Sequence, residues 1–252
     1  MHRCHAAPER WEADGGIRLS ARESHHLATV MRVPEGTRVA VFDGAGRTAE
    51  ARVERIAPDA VLLRVLPGTQ ATAADGTQII LVQALPKGGR MDDIVVKCTE
   101  IGAAAIMPVV TDRCVARLAP DQAAKRLARW ERLAVSAAKQ CQTPALPAIA
   151  PVGRLKDIPF DLFDACLVAT LAPGLVPLQT AIERLLPRRP ARVAVVIGPE
   201  GDLTPDETAA LVAGGAVAVT FGPNTLRTDT AAIYAVAVLT HAFRAGTTRA
   251  GS

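Results

Sequence analysis

The sequence predicts an α/β protein built in two regions. Three observations carry this. From Gln78 onward, continuous apolar runs alternate with stretches of helical periodicity, the pattern of a parallel sheet covered on both faces. Two of those apolar runs end in Gly-Pro loops, at Gly198-Pro199 and Gly222-Pro223, and each loop is followed by a helix start. Before residue 70 the chain instead alternates at period two between turn residues, as half-buried strands do.

In the first region, TRVAVFDG (37–44) and RTAEARVERI (47–56) flank the turn Gly44-Ala45-Gly46, and DAVLLRVLPG (59–68) follows a turn at Pro58-Asp59. One helix interrupts this meander, SARESHHLATVMRV (20–33), with Ser20 and Glu23 as a capping box. His25 and His26 are adjacent, point to different faces of that helix and make a poor metal pair. GAGRTA (44–49) matches a dinucleotide-binding fingerprint, but that loop should open a helix. The period-two run that follows reads as a strand, so the glycines are assigned to a hairpin turn.

GTQATAADGTQ (68–78) is small, polar and linker-like. The second region opens with a buried strand, IILVQAL (79–85). In GGRMDDIVVKCTEIGA (88–103), Met91, Ile94, Val95, Cys98 and Ile101 share one helical face. Strand AAIMPVV (104–110), helix PDQAAKRLARWERLAVSAAKQC (120–141), strand ACLVATL (165–171) and helix VPLQTAIERLL (176–186) follow. Then come strand ARVAVVI (191–197), a helix with Thr204 at N-cap, Pro205 at N1 and Glu207 at N3, strand AVAVTF (216–221), and a last helix, TDTAAIYAVAVLTHAF (228–243).

Composition narrows the partners. The 252 residues are 49% apolar and only 3% aromatic, so Ala, Val, Leu and Ile must fill the core. No apolar run approaches a membrane span of about 18 residues. The first residues hold no apolar signal core, and the five cysteines are scattered without a CxxC pair. A reducing cytoplasm, with no disulfide frame and no metal site, is expected. Residues 86–156 carry twelve Lys/Arg against six acids, net +6, whereas residues 157–252 are net −2 with seven against nine. A local basic excess suits a polyanion, although a solvated helix face is an equally weighted alternative.

Parallel sheets bind ligands at the C-terminal ends of their strands, where both Gly-Pro loops lie. Gly198 and Gly201 allow a tight turn and close approach of backbone to a ligand. In NTLRTDTAA (224–232), Arg227 stands at a helix entrance, with Thr228 and Thr230 as candidate caps and Asp229 serving the helix dipole. Arg227 is either a capped surface ion pair or a guanidinium that holds an anionic or carbonyl-rich substrate.

VIGPEGDLTPDE (196–207), FGPNTLRTDTAA (221–232) and LPKGGRMDDIVVKCTEIGAAAIMPVVTDRC (85–114) resemble the RsmE-type 16S rRNA (uracil N3) methyltransferases of the SPOUT superfamily. HHLATVMRVPEGTRVAVFDG (25–44) and AAKQC (137–141) extend the likeness over nearly the whole chain. The resemblance implies a PUA-like RNA-binding β-barrel domain over residues 1–70. It implies a SPOUT α/β methyltransferase domain over 77–252, with a parallel sheet and a C-terminal trefoil knot. It also implies S-adenosylmethionine as cofactor, 16S rRNA within the 30S subunit as substrate, and a homodimer packed through the knotted domains. Cofactor residues by this likeness are Leu171, Ile197, Gly198, Glu200, Gly201, Phe221, Gly222 and Leu226, with Arg227 matching the motif arginine. Arg32, Lys87, Arg90, Lys97 and Arg113 are the RNA-binding candidates. Three positions depart from the family pattern: Asp202 stands for Gly, Asn224 for Arg, and Cys141-Gln142-Thr143 replaces the x-Gly-Arg that follows Gln140.

Methylation at N3 requires alignment of the uracil with the methyl group and removal of a weakly acidic proton. No histidine lies near the loops, so Arg227 is expected to stabilise the developing uracil anion, with Glu100 or Glu200 as weaker candidates for proton acceptor. Rival readings are a SPOUT enzyme acting on ribose 2′-OH or tRNA, and a non-catalytic RNA-binding protein.

Overall fold

A computed structural model describes residues 1–57, 59–68, 70–71, 76–115, 119–172 and 174–244. Pro58 and residues 69 and 72–75 of the predicted linker lie outside them. The chain divides into two compact units, the first comprising Met1–Asp75 and Val135–Leu146, the second Gly76–Ala134 and Pro147–Ser252.

The first unit holds β1 (His2–His5), β2 (Gly16–Arg18), α1 (Ala21–His25), β3 (Arg38–Phe42), β4 (Arg47–Ile56), β5 (Val61–Val65) and β6 (Gln70–Ala71). Strand order is β1-β3-β4-β5-β2, with β6 also on β4. β3 and β4 pair antiparallel, with Phe42 opposite Thr48, so Gly44 (φ 82°) and Gly46 (φ 111°) form a hairpin and not a nucleotide loop. The inward residues Val39, Val41, Ala51, Val53 and Leu63 build one core with Ile17, Leu19 and Leu27. The α-helical part of the predicted helix is shorter than its sequence suggests, and the remainder is wound more loosely. α1 ends at His25 and continues as a π-turn over His26–Val30. Only half of its capping box forms: Ser20 accepts from the Glu23 N–H, but the Glu23 carboxylate turns inward to Lys139 Nζ at 2.9 and 3.0 Å and to the His5 N–H at 3.1 Å. Burial of that ion pair takes the carboxylate away from the helix end. β1 and β2, too short to show a period, were invisible in the sequence pattern.

The second unit contains β7 (Gln78–Ala84), α2 (Arg90–Ile101), β8 (Ala105–Val110), α3 (Pro120–Cys141), β9 (Ala148–Ile149), β10 (Gly153–Arg154), β11 (Ala165–Ala169), β12 (Val176–Pro177), α4 (Leu178–Leu185), β13 (Arg192–Ile197), α5 (Pro205–Ala213), β14 (Val217–Thr220) and α6 (Thr228–Arg244). The last residues of α3, from Val135, belong to the first unit. All strand pairs of this sheet are parallel, in the order β10-β8-β7-β13-β11-β14-β12, with β9 also on β8. The central strands are apolar on both faces because both are covered. On one side α2 and α6 pack together, and α6 lies over β7 and β13. On the other, Leu203, Leu211 and Ala216 close over Val82, Val168, Ala194 and Val196. Met91, Ile94, Val95 and Cys98 are buried, as the helical face requires. Each large apolar side chain among them contributes about 1.5–3 kcal/mol of transfer free energy.

Two non-glycine residues occupy left-handed backbone at positions where the resemblance implies glycine: Gln142 at φ 63° and Asp202 at φ 60°. The turns are kept although the residues that usually make them are not. Asp tolerates this region better than most because its short polar side chain bonds locally.

Candidate active site at the strand ends

Sheet register assembles the site. Ala169 at the end of β11 pairs with Ile197 of β13 on one side and with Val219 of β14 on the other. Three parallel strands therefore stop at one level, and their loops lie side by side: Thr170-Leu171, Gly198–Leu203 and Phe221–Arg227. β7 ends beside them, with Gln83 opposite Ile197.

The loop after β13 begins with a tight turn, the Asp202 N–H bonding the Pro199 carbonyl at 3.0 Å. It then enters α5 through a complete capping box between Thr204 and Glu207, with Pro205 in the first turn. A Cβ on Gly198 would lie 3.1 Å from the Leu203 backbone N and 3.2 Å from the Asp202 carbonyl carbon. This glycine is therefore required by close approach of backbone. Gly201 is not: its φ is not positive, and a Cβ there would make ordinary 3.6 Å contacts with Arg113. Gly222 has φ 114° and open space around it. Phe221 leaves that space by packing on Tyr234 of α6, ring centroids 5.3 Å apart.

Four side chains tie the loops together, and sequence reasoning assigned none of them a place in the site. The Thr228 hydroxyl donates to the Gly198 carbonyl at 2.7 Å and accepts from Gln83 Nε2 at 3.0 Å, so it is a tie between loops and not a helix cap. Asp202 accepts from Thr170 and Leu171. A buried Gln at a strand end and an Asp in a glycine-like position are the signals that were present.

The predicted cations separate into groups. Arg227 is exposed at the entrance to α6, and its guanidinium has no hydrogen-bond or ion-pair partner among the described residues. The Lys87 ammonium also has no partner among the described residues, but its backbone N–H donates to Glu200 Oε1 at 2.9 Å. Arg90 stands between Glu200 and Asp229, 3.7 Å from each. Arg113 donates to the carbonyls of Gly201 at 2.8 Å and Leu203 at 3.3 Å, bracing the loop from β8. Lys97 pairs with Glu100 on α2 at 2.8 Å, away from the loops. Arg32 lies in the first unit, exposed, at φ 50°. Leu171 is 64% exposed on the first loop, whereas Ile197 is buried. Leu226 is half-buried.

Two buried polar atoms lie on residues next to these loops in the chain or the sheet. Gln83 Oε1 and Asp229 Oδ1 are buried without a hydrogen-bond partner. Such a lining offers acceptors, a glycine cradle and an apolar edge at Leu171, Phe221 and Leu226, which fits a ligand with an aminated ring and a cationic centre. A cavity of about 1550 Å³ lies elsewhere, lined by Leu127, Leu155, Phe160, Cys166 and Leu211, and none of the loop residues predicted to bind a ligand lines it. Of its lining residues, Glu207 is committed to the capping box of α5 and Thr111 is bonded to Cys114, so volume alone does not make it the site.

A parallel sheet with glycine loops at its strand ends, preceded by a small β-domain, defines the class. The model of an RNA methyltransferase domain matches residues 74–240, and that of an RNA methyltransferase PUA domain matches residues 19–66. Among curated proteins, Ribosomal RNA small subunit methyltransferase E of Bacillus subtilis is 30% identical over 88% of this chain and 89% of its own length. The protein of the same name from Mycobacterium bovis is 36% identical over 86% and 84%. Among solved structures, one of that name from Neisseria gonorrhoeae, bound to S-adenosyl methionine, superposes with TM-score 0.79 at 28% identity, covering 96% of this chain and 97% of its own. A methyltransferase from Legionella pneumophila, in complex with SAM, gives TM-score 0.82 at 27% identity over 95% and 97%. The chain belongs to the small-subunit ribosomal RNA methyltransferase E family. No helix among the described residues is long and apolar enough to cross a membrane.

Proposed function

We propose that this protein transfers a methyl group from S-adenosylmethionine to N3 of a uridine in 16S rRNA, within the 30S subunit. The observation that carries this reading is that register brings three strand-end loops to one level of the sheet, the third of them carrying Arg227, which is exposed and has no side-chain partner among the described residues. Leu171, Ile197, Gly198, Glu200, Gly201, Phe221, Gly222 and Leu226 form the cofactor pocket, Gly201 contributing backbone more than conformational freedom. S-adenosylmethionine, when bound, supplies an already activated methyl group.

The chain's own residues then orient the uracil and manage its charge. Arg227 donates to a ring carbonyl oxygen as N3 loses its proton, a contact stronger in the transition state than in the ground state. Glu200 is held by the Lys87 N–H and Arg90, and Glu100 by Lys97, so neither is a free base. Lys87 and Arg32, whose heads are unpaired among the described residues, are the foremost phosphate contacts. Arg90, Arg113 and Lys97 reach RNA only by leaving their present partners. The family likeness supports a homodimer, a C-terminal trefoil knot, domains over residues 1–70 and 77–252, and a cytoplasmic place of action.

The test is Arg227→Ala. Methyl transfer should fall by about a hundredfold or more, on the scale of one oxyanion donor, with little change in cofactor affinity. Arg227→Lys should recover part of the loss, because a point charge cannot copy the guanidinium fork. Near-normal turnover of Arg227→Ala at saturating RNA would remove Arg227 from the mechanism. Mass spectrometry of the methylated nucleoside decides between N3 and ribose.

A further inference from the structure

Among the described residues, Asp202 joins the loop after β11 to the loop after β13 through its side chain. Its Oδ2 accepts from the Thr170 hydroxyl and from the Leu171 N–H, each at 3.0 Å. Its Oδ1 accepts from the Leu203 N–H at 2.8 Å. The backbone at φ 60° aims the carboxylate back across the turn, and the turn itself is closed by the Asp202 N–H on the Pro199 carbonyl. Thr170 is buried, whereas the next residue, Leu171, extends into solvent, so the clasp acts where the loop leaves the sheet. The Thr170 N–H is bonded to the Val219 carbonyl at 3.3 Å, which links the same point to the third strand.

We infer that Asp202 is a positioning residue that sets the Thr170-Leu171 wall of the pocket before the cofactor arrives. The inference rests on the pocket assigned under the proposed function. A carboxylate accepting two bonds from one loop and one from its own holds both in a single arrangement. Charge-assisted bonds of this kind are about twice as strong as neutral ones. A wall ordered in advance lowers the entropy cost of binding and leaves the chemical step unchanged. Asp202 therefore governs cofactor affinity and not turnover at saturation.

The variant Asp202→Gly separates the carboxylate from the backbone, since glycine keeps the left-handed conformation without strain. Calorimetry with S-adenosylmethionine should give a Kd raised about tenfold or more, the scale of losing one or two bonds to a charged group. KM for the cofactor should rise in parallel, with kcat at saturating cofactor near that of the unsubstituted chain. Hydrogen exchange at the Leu171 amide, measured without cofactor on the full chain, should accelerate. Asp202→Asn, which keeps one carbonyl acceptor, should fall between the two, and Thr170→Val should reproduce part of the affinity loss. If Asp202→Gly binds the cofactor as tightly as the unsubstituted chain, or loses kcat with KM unchanged, the proposal is overturned while the proposed function stands. If the unsubstituted chain gives no binding heat, the functional reading fails and takes this role with it, whatever the exchange rates.

Discussion

Gly198 and Gly201 look equivalent in the motif and are not equivalent in space. A methyl group on Gly198 meets backbone atoms of its own loop at 3.1–3.2 Å, and one on Gly201 meets only the flexible Arg113 side chain at 3.6 Å. Gly198→Ala is expected to cost about 1–3 kcal/mol of stability as an overpacking change, and to weaken S-adenosylmethionine binding. Gly201→Ala should stay within about 0.5 kcal/mol. Urea midpoints and calorimetry on the two variants check this, and equal behaviour of both would refute it. The spacing of the motif was legible in the sequence, but which glycine is sterically obligatory was not, because that depends on where Leu203 returns. The same applies to Asp202 and Gln142. Each was visible as a non-glycine in a glycine position, yet only the backbone shows that both still turn left-handed.

Among the elements, the helices of the second unit were the most legible part. α3 runs from Pro120 to Cys141, as its periodicity predicts, and α5 starts on the expected capping box. Glu23 shows why local signals fail. The N3 position of a capping box predicts a bond to the N-cap N–H, but a lysine distant in sequence captures the carboxylate. The Glu23 and Lys139 side chains are only 9% and 19% exposed. Removing one partner strands the other charge away from water. Lys139→Met is therefore expected to destabilise by about 3–5 kcal/mol, and adding Glu23→Gln should return much of that loss. A thermal-unfolding double-mutant cycle measures the coupling, and additive losses would show that the pair is not an interacting unit.

For the whole molecule, the division into a period-two front and an alternating strand–helix remainder was legible, because burial on one face or two writes itself into hydropathy. The strand order was not. Local pattern carries no record of β11 lying between β13 and β14, and the inclusion of Val135–Leu146 in the first unit is likewise a tertiary fact. The distribution of thiols reflects the same burial. Desolvation pushes Cys4, Cys98 and Cys166 each up to about 12, while Cys114 and Cys141 are half-buried. At about pH 8 a chromogenic disulfide reagent should titrate two thiols in the native protein and the other three only after denaturation, since the thiolate is the reactive form. Prompt reaction of all five would show that these cores open readily.

Strand order also fixes when the site comes into being. β11 is made before both of its neighbours, and its second edge is covered by the later strand Val217–Thr220. As the polypeptide emerges during synthesis, β11 must wait, first for β13 and then for β14, with unpaired edge groups that invite wrong pairing. A nascent chain stopped short of β14 would have β11 and β13 to pair and none of its completed cradle. Competence to act thus waits for Val217–Thr220, so termination before that segment should yield an inert fragment instead of a weakened enzyme.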